Sequence, residues 1–455
     1  MAIALDSGYP DDDPSGSFAG QRHLPSFERR LDSQADQLIS LTDPYLHGPE
    51  KMTREAAAGP SGKPEERPLP KPCRAHVADV KDFDARLVKE SFAHVAANAE
   101  AAMEHFYARL FVRYPEIRSM FPHAMRDHMQ SVFAALARIV WSIDSPDSLT
   151  PYLSHLGRCH RKFGVKDRHF EPLLSVLIET IRHFSGYYWT GETQAAWEAA
   201  LGHAASVMQA SATRDAAEQP PWWIGEVVQH DQRSQDLAVL TIKPDQSLRY
   251  EPGQYLAVQV PRWPRVWRNF SIANAPRPNG LLDLHVRAVP GGMVSGSLVH
   301  NTRLGDTVLL GPACGEMTLA ADQGRDLLCV AGGTGLAPIK AIIEDVINAS
   351  KHGGRRRAIT LFFGAQDEED LYDLPDLRVL EWIYPALTVV PVVSGQPDFD
   401  GITGMLPEAV AQYASCENAE IFVCGPDGMV RRTVELLADR VPPGHIRHDP
   451  PAADR

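Results

Sequence analysis

Long apolar runs are missing from this sequence: no stretch reaches the roughly 18–20 consecutive apolar residues of a bilayer-spanning helix, which excludes membrane insertion by that route. The first residues, Met1 to Pro14, are acidic where a secretory leader is basic and then apolar, so the expected location is the cytoplasm. Basic charge is in deficit: 45 Lys and Arg stand against 58 Asp and Glu, a net charge of -13. That balance argues against nucleic acid or an anionic membrane surface as partner, because both require a basic face. The six cysteines (Cys73, Cys159, Cys314, Cys329, Cys416, Cys424) lack the paired spacing of a disulfide framework or a zinc site. They also lack the clustering of a ferredoxin-type iron–sulfur centre, and read as reduced thiols.

What is present is length and texture for several domains. At 455 residues, with 44% hydrophobic and 23% charged residues, the chain has room for about three folding units. Residues 1–78 mix Asp, Pro, Gly and Ser without sustained periodicity, the composition of a disordered extension. A short helix over Phe27–Thr42 and a protein partner for this tail are the structured alternatives. Residues 79–216 carry apolar positions at helical spacing and almost no alternation, an all-α domain. Helices are expected over Met129–Ile143, Pro151–Phe163, Arg168–Trp189 and Gln194–Ser211, beyond two earlier ones through Phe92 and Phe106. After a Pro/Trp linker at 219–223, short strands broken by Gly and Pro (Ile224–Val228, Leu237–Lys243, Gln254–Val260, Leu281–Val289, Thr307–Leu310) predict an antiparallel β-barrel over 220–320. From 321 to 455 strands at Leu327–Ala331, Ile359–Gly364, Leu387–Val393 and Ile421–Cys424 alternate with helices, the pattern of a doubly wound α/β domain.

Arg268-Asn269-Phe270-Ser271 follows a Pro/Trp-rich loop, then come His285-Val286-Arg287 and Gly291-Gly292-Met293-Val294-Ser295. A guanidinium forks onto a diphosphate, an aromatic ring lies against a flavin, and glycines before a helix start let backbone amides approach a phosphate. Gly332-Gly333-Thr334-Gly335 joins a buried strand to a helix, where glycines let the turn hug a diphosphate. Cys424-Gly425-Pro426 ends another strand. In order and spacing this segment resembles the ferredoxin–NADP reductase superfamily, which implies that these residues hold FAD and a nicotinamide dinucleotide, Cys424 standing beside the hydride path. The acidic run from Asp367 to Asp373 sits where such folds handle the adenosine ribose and would repel the extra phosphate of NADP, favouring NADH over NADPH. Many relatives end in an aromatic residue stacked on the flavin; the stretch His445 to Arg455 has none.

His105-Phe106-Tyr107, Pro115 to Phe121 and His155 to Phe163 resemble a bacterial globin in order and spacing. The resemblance implies haem b, with His160 as the iron's proximal ligand, Phe121 wedged against the porphyrin and Tyr107 as the distal hydroxyl. The distal-helix position aligns with His128, or with Gln130 after a two-residue slip. Typical relatives bond the proximal imidazole to a tyrosine and a glutamate; here Phe170 takes the first position, and only Asp215 lies near the second. Either Asp215 substitutes or the electron push from His160 is weaker.

Together the two halves resemble a flavohaemoglobin. A hydride carries two electrons and haem iron accepts one at a time, so a flavin must stand between them. The resemblance implies nitric oxide dioxygenation, with NO and O₂ as small-molecule substrates and nitrate as product. A haem-based redox or oxygen sensor and a flavin reductase serving a separate acceptor are the alternatives.

Overall fold

The computed structural model describes residues 84–319, 324–417, 419–442 and 444–449; the extension read at 1–78, with its Phe27–Thr42 helix, lies outside the described residues. Six helices form the first layer: α1 (Ala85–Ala96), α2 (Ala99–Arg113), α3 (Arg126–Trp141), α4 (Pro146–His160), α5 (Phe170–Ser185) and α6 (Gly191–Glu218). Local chemistry sets their ends. Asp84 caps α1 by accepting from the Arg86 amide, and Thr190 caps α6 by accepting from that of Thr193. Helix α4 starts at Pro146, not at Pro151 as the sequence suggests: a proline at the first helical position loses no bond, and Pro151 is carried inside the helix. Their apolar faces enclose Val88, Phe92, Val95, Ile181, Trp197 and Leu201, with the Trp197 indole donating to Ser91 Oγ.

Two glycines shape α4 and the turn that follows it. A Cβ at Gly157 would overlap the backbone of Met208, so glycine lets α4 lie directly on α6. Beyond His160 a short 3₁₀ turn (Arg161–Phe163) ends at Gly164 with φ 73°, a left-handed conformation that turns the chain back.

The second layer is a six-stranded antiparallel sheet of β1 (Trp223–Gln232), β2 (Leu237–Pro244), β3 (Tyr255–Gln259), β4 (Arg268–Ser271), β5 (Leu282–Arg287) and β6 (Thr307–Cys314), ordered β4-β3-β6-β1-β2-β5. A bridge between Ile272 and Leu284 brings its two edges together as a barrel. Helix α7 (Met293–His300) packs Val294, Leu298 and Val299 into the barrel core. The third layer is a parallel sheet, ordered β10-β9-β8-β7-β11-β12, of β7 (Asp326–Gly332), β8 (Ile359–Ala365), β9 (Leu387–Val393), β10 (Ile402–Thr403), β11 (Ala419–Cys424) and β12 (Ile446–Arg447). Four helices connect its strands: α8 (Leu336–Lys351), α9 (Leu374–Ile383), α10 (Leu406–Tyr413) and α11 (Asp427–Leu437). The expected succession of helical, barrel and doubly wound layers is the one observed.

Among the described residues no helix is long and apolar enough to cross a membrane.

Gly157→Ala separates helix propensity from packing. Alanine is about 1 kcal/mol the better helix former, yet here it meets backbone that cannot rotate aside. The expected outcome is net destabilisation of the helical domain by about 1–3 kcal/mol in urea unfolding followed at 222 nm; a gain in stability would show that α4 and α6 do not touch at this point.

Candidate functional site

The helical domain gathers Tyr107, Phe121 and His128 into one aromatic cluster. Tyr107 comes from α2 and His128 from α3, while Phe121 follows the short 3₁₀ segment Pro115–Met120. The Tyr107 ring lies 5.5 Å from that of Phe121 and 5.7 Å from that of His128, and Phe121 lies 5.3 Å from His128. Tyr107 is buried, and burial pushes its phenol up, so the hydroxyl stays protonated and able to donate. Desolvation, helped by the neighbouring His160, holds His128 down to about 4, so its imidazole is neutral near pH 7. Its Nε2 is buried without a hydrogen-bond partner among the described residues, a polar atom whose position calls for a ligand.

His160 faces this cluster from α4, partly buried, with its pKa lowered mainly by desolvation. Its Nδ1 lies 2.6 Å from the Leu156 carbonyl oxygen. A carbonyl only accepts, so Nδ1 carries the proton and the lone pair is on Nε2, the tautomer a metal needs. Asp215 is not the imidazole's partner: it is ion-paired with Arg161 and accepts from the Gln219 amide at 2.6 Å. Of the two outcomes left open by the sequence, substitution by Asp215 is thereby removed.

The short turn after His160 reaches the barrel. The rings of His160 and Phe163 lie 6.2 Å apart, and Phe163 meets Trp267 edge-on at 6.4 Å. The Lys162 ammonium sits 5.5 Å from the centroid of the Trp267 ring. Trp267 immediately precedes β4, whose Arg268 and Asn269 are exposed while Phe270 and Ser271 are half-buried. Gly291 has φ 74°, a conformation that favours glycine, and a Cβ at Gly292 would stand 2.5 Å from Ser295 Oγ, so the turn into Met293, Val294 and Ser295 is tight.

His285 and Arg287 bind the barrel to the third layer. The His285 Nδ1 lies 2.7 Å from the Tyr372 hydroxyl, with both side chains buried. Arg287 bridges Asp236 and Asp370, each at 2.9 Å. In the acidic run Asp373 is also engaged, paired with Lys340 at 2.6 Å, which leaves Asp367, Glu368 and Glu369 facing water.

In the parallel sheet the strand order reverses between β7 and β11, the switch point where open α/β sheets bind their ligands. The turn Gly332–Gly335 and the segment Cys424-Gly425-Pro426 meet at this point. A Cβ on Gly335 would overlap the Cys424 carbonyl, and one on Gly332 would stand 3.2 Å from Pro426. Beside Cys424, Gly425 and Arg431 opens a cavity of about 220 Å³ whose far wall is His448 and Asp449. Those two wall residues were not singled out in the sequence, where only the lack of a terminal aromatic drew notice.

Three family models match: Globin over residues 104–208, an oxidoreductase FAD-binding domain over 225–318 and an oxidoreductase NAD-binding domain over 329–435. The helical fold followed by this pair of domains defines a globin joined to an FAD- and NAD-binding oxidoreductase. A flavohemoprotein of Bordetella parapertussis is 30% identical over 278 residues, 57% of this chain and 69% of that one. One of Rhodopirellula baltica is 27% identical over 384 residues, covering 78% and 93%. The chain belongs to the flavohaemoglobin family, and its cofactors are haem, FAD and a nicotinamide dinucleotide. A flavohemoglobin structure from Malassezia yamatoensis, solved with FAD and haem, shares the fold at TM-score 0.68 and 16% identity, over 80% of this chain and 97% of that one. The xylene/toluene monooxygenase electron transfer component of Pseudomonas putida is 35% identical over 199 residues, 43% of this chain and 55% of that relative.

The buried His285 gives the joint between barrel and third layer a pH dependence. Desolvation holds its pKa well below the ordinary 6.5. Between those two values the unfolded chain binds a proton that the native state refuses, so stability falls as pH drops below 6.5 and is unaffected above it. His285→Gln is expected to remove a slope approaching about 1.4 kcal/mol per pH unit in urea unfolding as pH falls from roughly 6 to 5; an unchanged slope would place the titration elsewhere.

Proposed function

We propose that this protein is a nitric oxide dioxygenase, in which electrons from NADH pass by way of FAD to haem and NO is converted with O₂ to nitrate. The observation that carries the reading is the unbroken contact from His160 through Phe163 to Trp267, the residue before the Arg268–Ser271 motif. It supports a one-chain electron route, because the helix that would hold haem and the strand that would hold flavin come together through these rings.

The residues present fit the implied groups. His160, with Nε2 as its donor atom, would hold the iron, and Phe121 would pack on the porphyrin. The Nε2 of His128, unpartnered among the described residues, and the protonated Tyr107 hydroxyl beside it would offer two polar positions to a diatomic ligand. Arg268, Asn269, Phe270 and Ser271, with Gly291 to Ser295, would hold FAD, and Gly332, Gly333, Thr334, Gly335, Cys424, Gly425 and Pro426 the dinucleotide. When bound, haem supplies the redox iron and FAD divides a hydride's two electrons into single ones.

The chain's own atoms then do the following. Leu156 keeps the His160 proton on Nδ1, and a neutral carbonyl draws less on that proton than a carboxylate would, so peroxidase-like side chemistry is weak. Tyr107, buried and protonated, would present its O–H to negative charge on a small ligand held there. The exposed carboxylates of Asp367, Glu368 and Glu369 disfavour a 2′-phosphate, so NADH is the preferred donor. A second reading, a reductase that serves a separate acceptor, draws support from the 35% identity of the reductase half to the monooxygenase electron transfer component.

Stopped-flow mixing of oxygenated, NADH-reduced protein with NO tests the proposal. Stoichiometric nitrate with rapid return to the ferric haem spectrum is the expected result, and an inert oxygenated species contradicts it. Tyr107→Phe is expected to raise the O₂ dissociation rate by about ten- to a hundredfold, the loss of one hydrogen bond to a charged acceptor. His160→Ala is expected to purify yellow, with FAD but without haem, as absorbance spectra will show.

A further inference from the structure

Cysteine spacing along the sequence suggests no metal site, yet folding brings two thiols and an imidazole together where the helical domain meets the barrel. His155 and Cys159 stand one turn apart on α4, and Cys314 ends β6. Cys159 Sγ lies 3.4 Å from His155 Nε2 and 3.9 Å from Cys314 Sγ, and the three donor atoms are all within 4.8 Å of one another.

The two separations from Cys159 are close to those a tetrahedral ion imposes, and the third, between His155 and Cys314, is within 4.8 Å. With zinc–sulfur bonds of about 2.3 Å and zinc–nitrogen bonds of about 2.0–2.1 Å, two sulfurs sit about 3.8 Å apart and sulfur and nitrogen about 3.6 Å apart. Donor type agrees with donor spacing, since thiolate and imidazole together select zinc over the hard, oxygen-seeking cations. All three residues keep some contact with solvent.

We propose that His155, Cys159 and Cys314 form a zinc site joining the two domains, its fourth position open to water. On binding, each thiol gives up its proton to solvent, two sulfur–zinc bonds and one nitrogen–zinc bond form, and no electrons are exchanged. Two thiolates balance the charge of the ion, so the loaded site is neutral. A disulfide between Cys159 and Cys314 is the competing chemistry. It would need an oxidant and a closure of the sulfurs to about 2.05 Å, and it would leave His155 without a part. The zinc site uses all three groups. Because Cys159 adjoins His160, the ion would fasten the haem-binding helix to the flavin-binding barrel.

The test uses the full-length holoprotein, reduced with a phosphine, stripped with a chelator, loaded with Zn²⁺ and desalted before elemental analysis. One equivalent of zinc beyond the haem iron is expected. Removing a direct ligand should weaken binding beyond the tenfold or more typical of a lost supporting contact, so Cys314→Ser and His155→Ala should each lose the zinc while keeping FAD and haem. Wild-type protein titrated with Cd²⁺ should develop thiolate-to-cadmium ultraviolet absorption that saturates at one equivalent, a readout independent of the variants' folding. Failure of reduced wild-type protein to retain zinc, equal zinc in wild type and Cys314→Ser, or intact mass showing two hydrogens lost between Cys159 and Cys314 in protein isolated without reductant and no zinc after reduction, would each overturn the proposal. None of these outcomes bears on NO turnover, so the two proposals fail separately.

Discussion

An imidazole drawn out of water must find a partner for its N–H, and at His160 that partner is the carbonyl of Leu156 one turn back in the same helix. This single bond decides which nitrogen presents a lone pair, and much of the nearby structure holds that ring in place. Gly157 lets α4 rest on the backbone of α6, and Gly164 turns the chain sharply after His160. Between them Arg161 is pinned by Asp215 and by the Gln219 carbonyl, so the segment carrying the imidazole is held on both sides. The Asp215 carboxylate thus anchors the segment beside the imidazole instead of bonding to it.

The same turn that ends α4 begins the passage to the reductase. Lys162 and Phe163 lie against Trp267, and the next residue opens the Arg268–Ser271 strand. A second joint, between the barrel and the third layer, carries three polar pairs beside its apolar contacts: His285 with Tyr372, Arg287 with Asp370, and Arg233 with Asp376. Buried polar groups that satisfy one another fix geometry more than they add stability. Here they set the barrel motif and the Gly332–Gly335 switch point in one register, as transfer between two bound cofactors demands.

Periodicity carried much of the fold. Leu387–Val393 is the strand the alternation marks, and the glycine turns fall between strand and helix where close backbone approach requires them. Signals failed where a residue type has two meanings. Pro151 reads as a helix start but is carried inside α4, while Pro375 and the acidic run before it conceal α9. At the site, the resemblance to a globin marks Tyr107, Phe121, His128 and His160, and the structure brings the first three into one ring cluster with His160 close to His128. The engagement of Asp215 by Arg161 was not legible, because the partners are 54 residues apart and pairing depends on where helices cross. The His155, Cys159 and Cys314 cluster was hidden for the same reason, with its two thiols 155 residues apart. His285 and Arg287 show the converse case. Their spacing suggests a flavin contact, while their side chains reach across to Tyr372 and Asp370.

The central claim is that one chain carries electrons from dinucleotide to flavin to the iron held by His160. Anaerobic mixing of the holoprotein with NADH under carbon monoxide tests it most directly, with flavin bleaching and the ferrous carbonyl band followed together. The account expects flavin bleaching first, then haem reduction at a rate independent of protein concentration. Haem that stays ferric beside reduced flavin, or whose reduction rate rises with protein concentration, would contradict it.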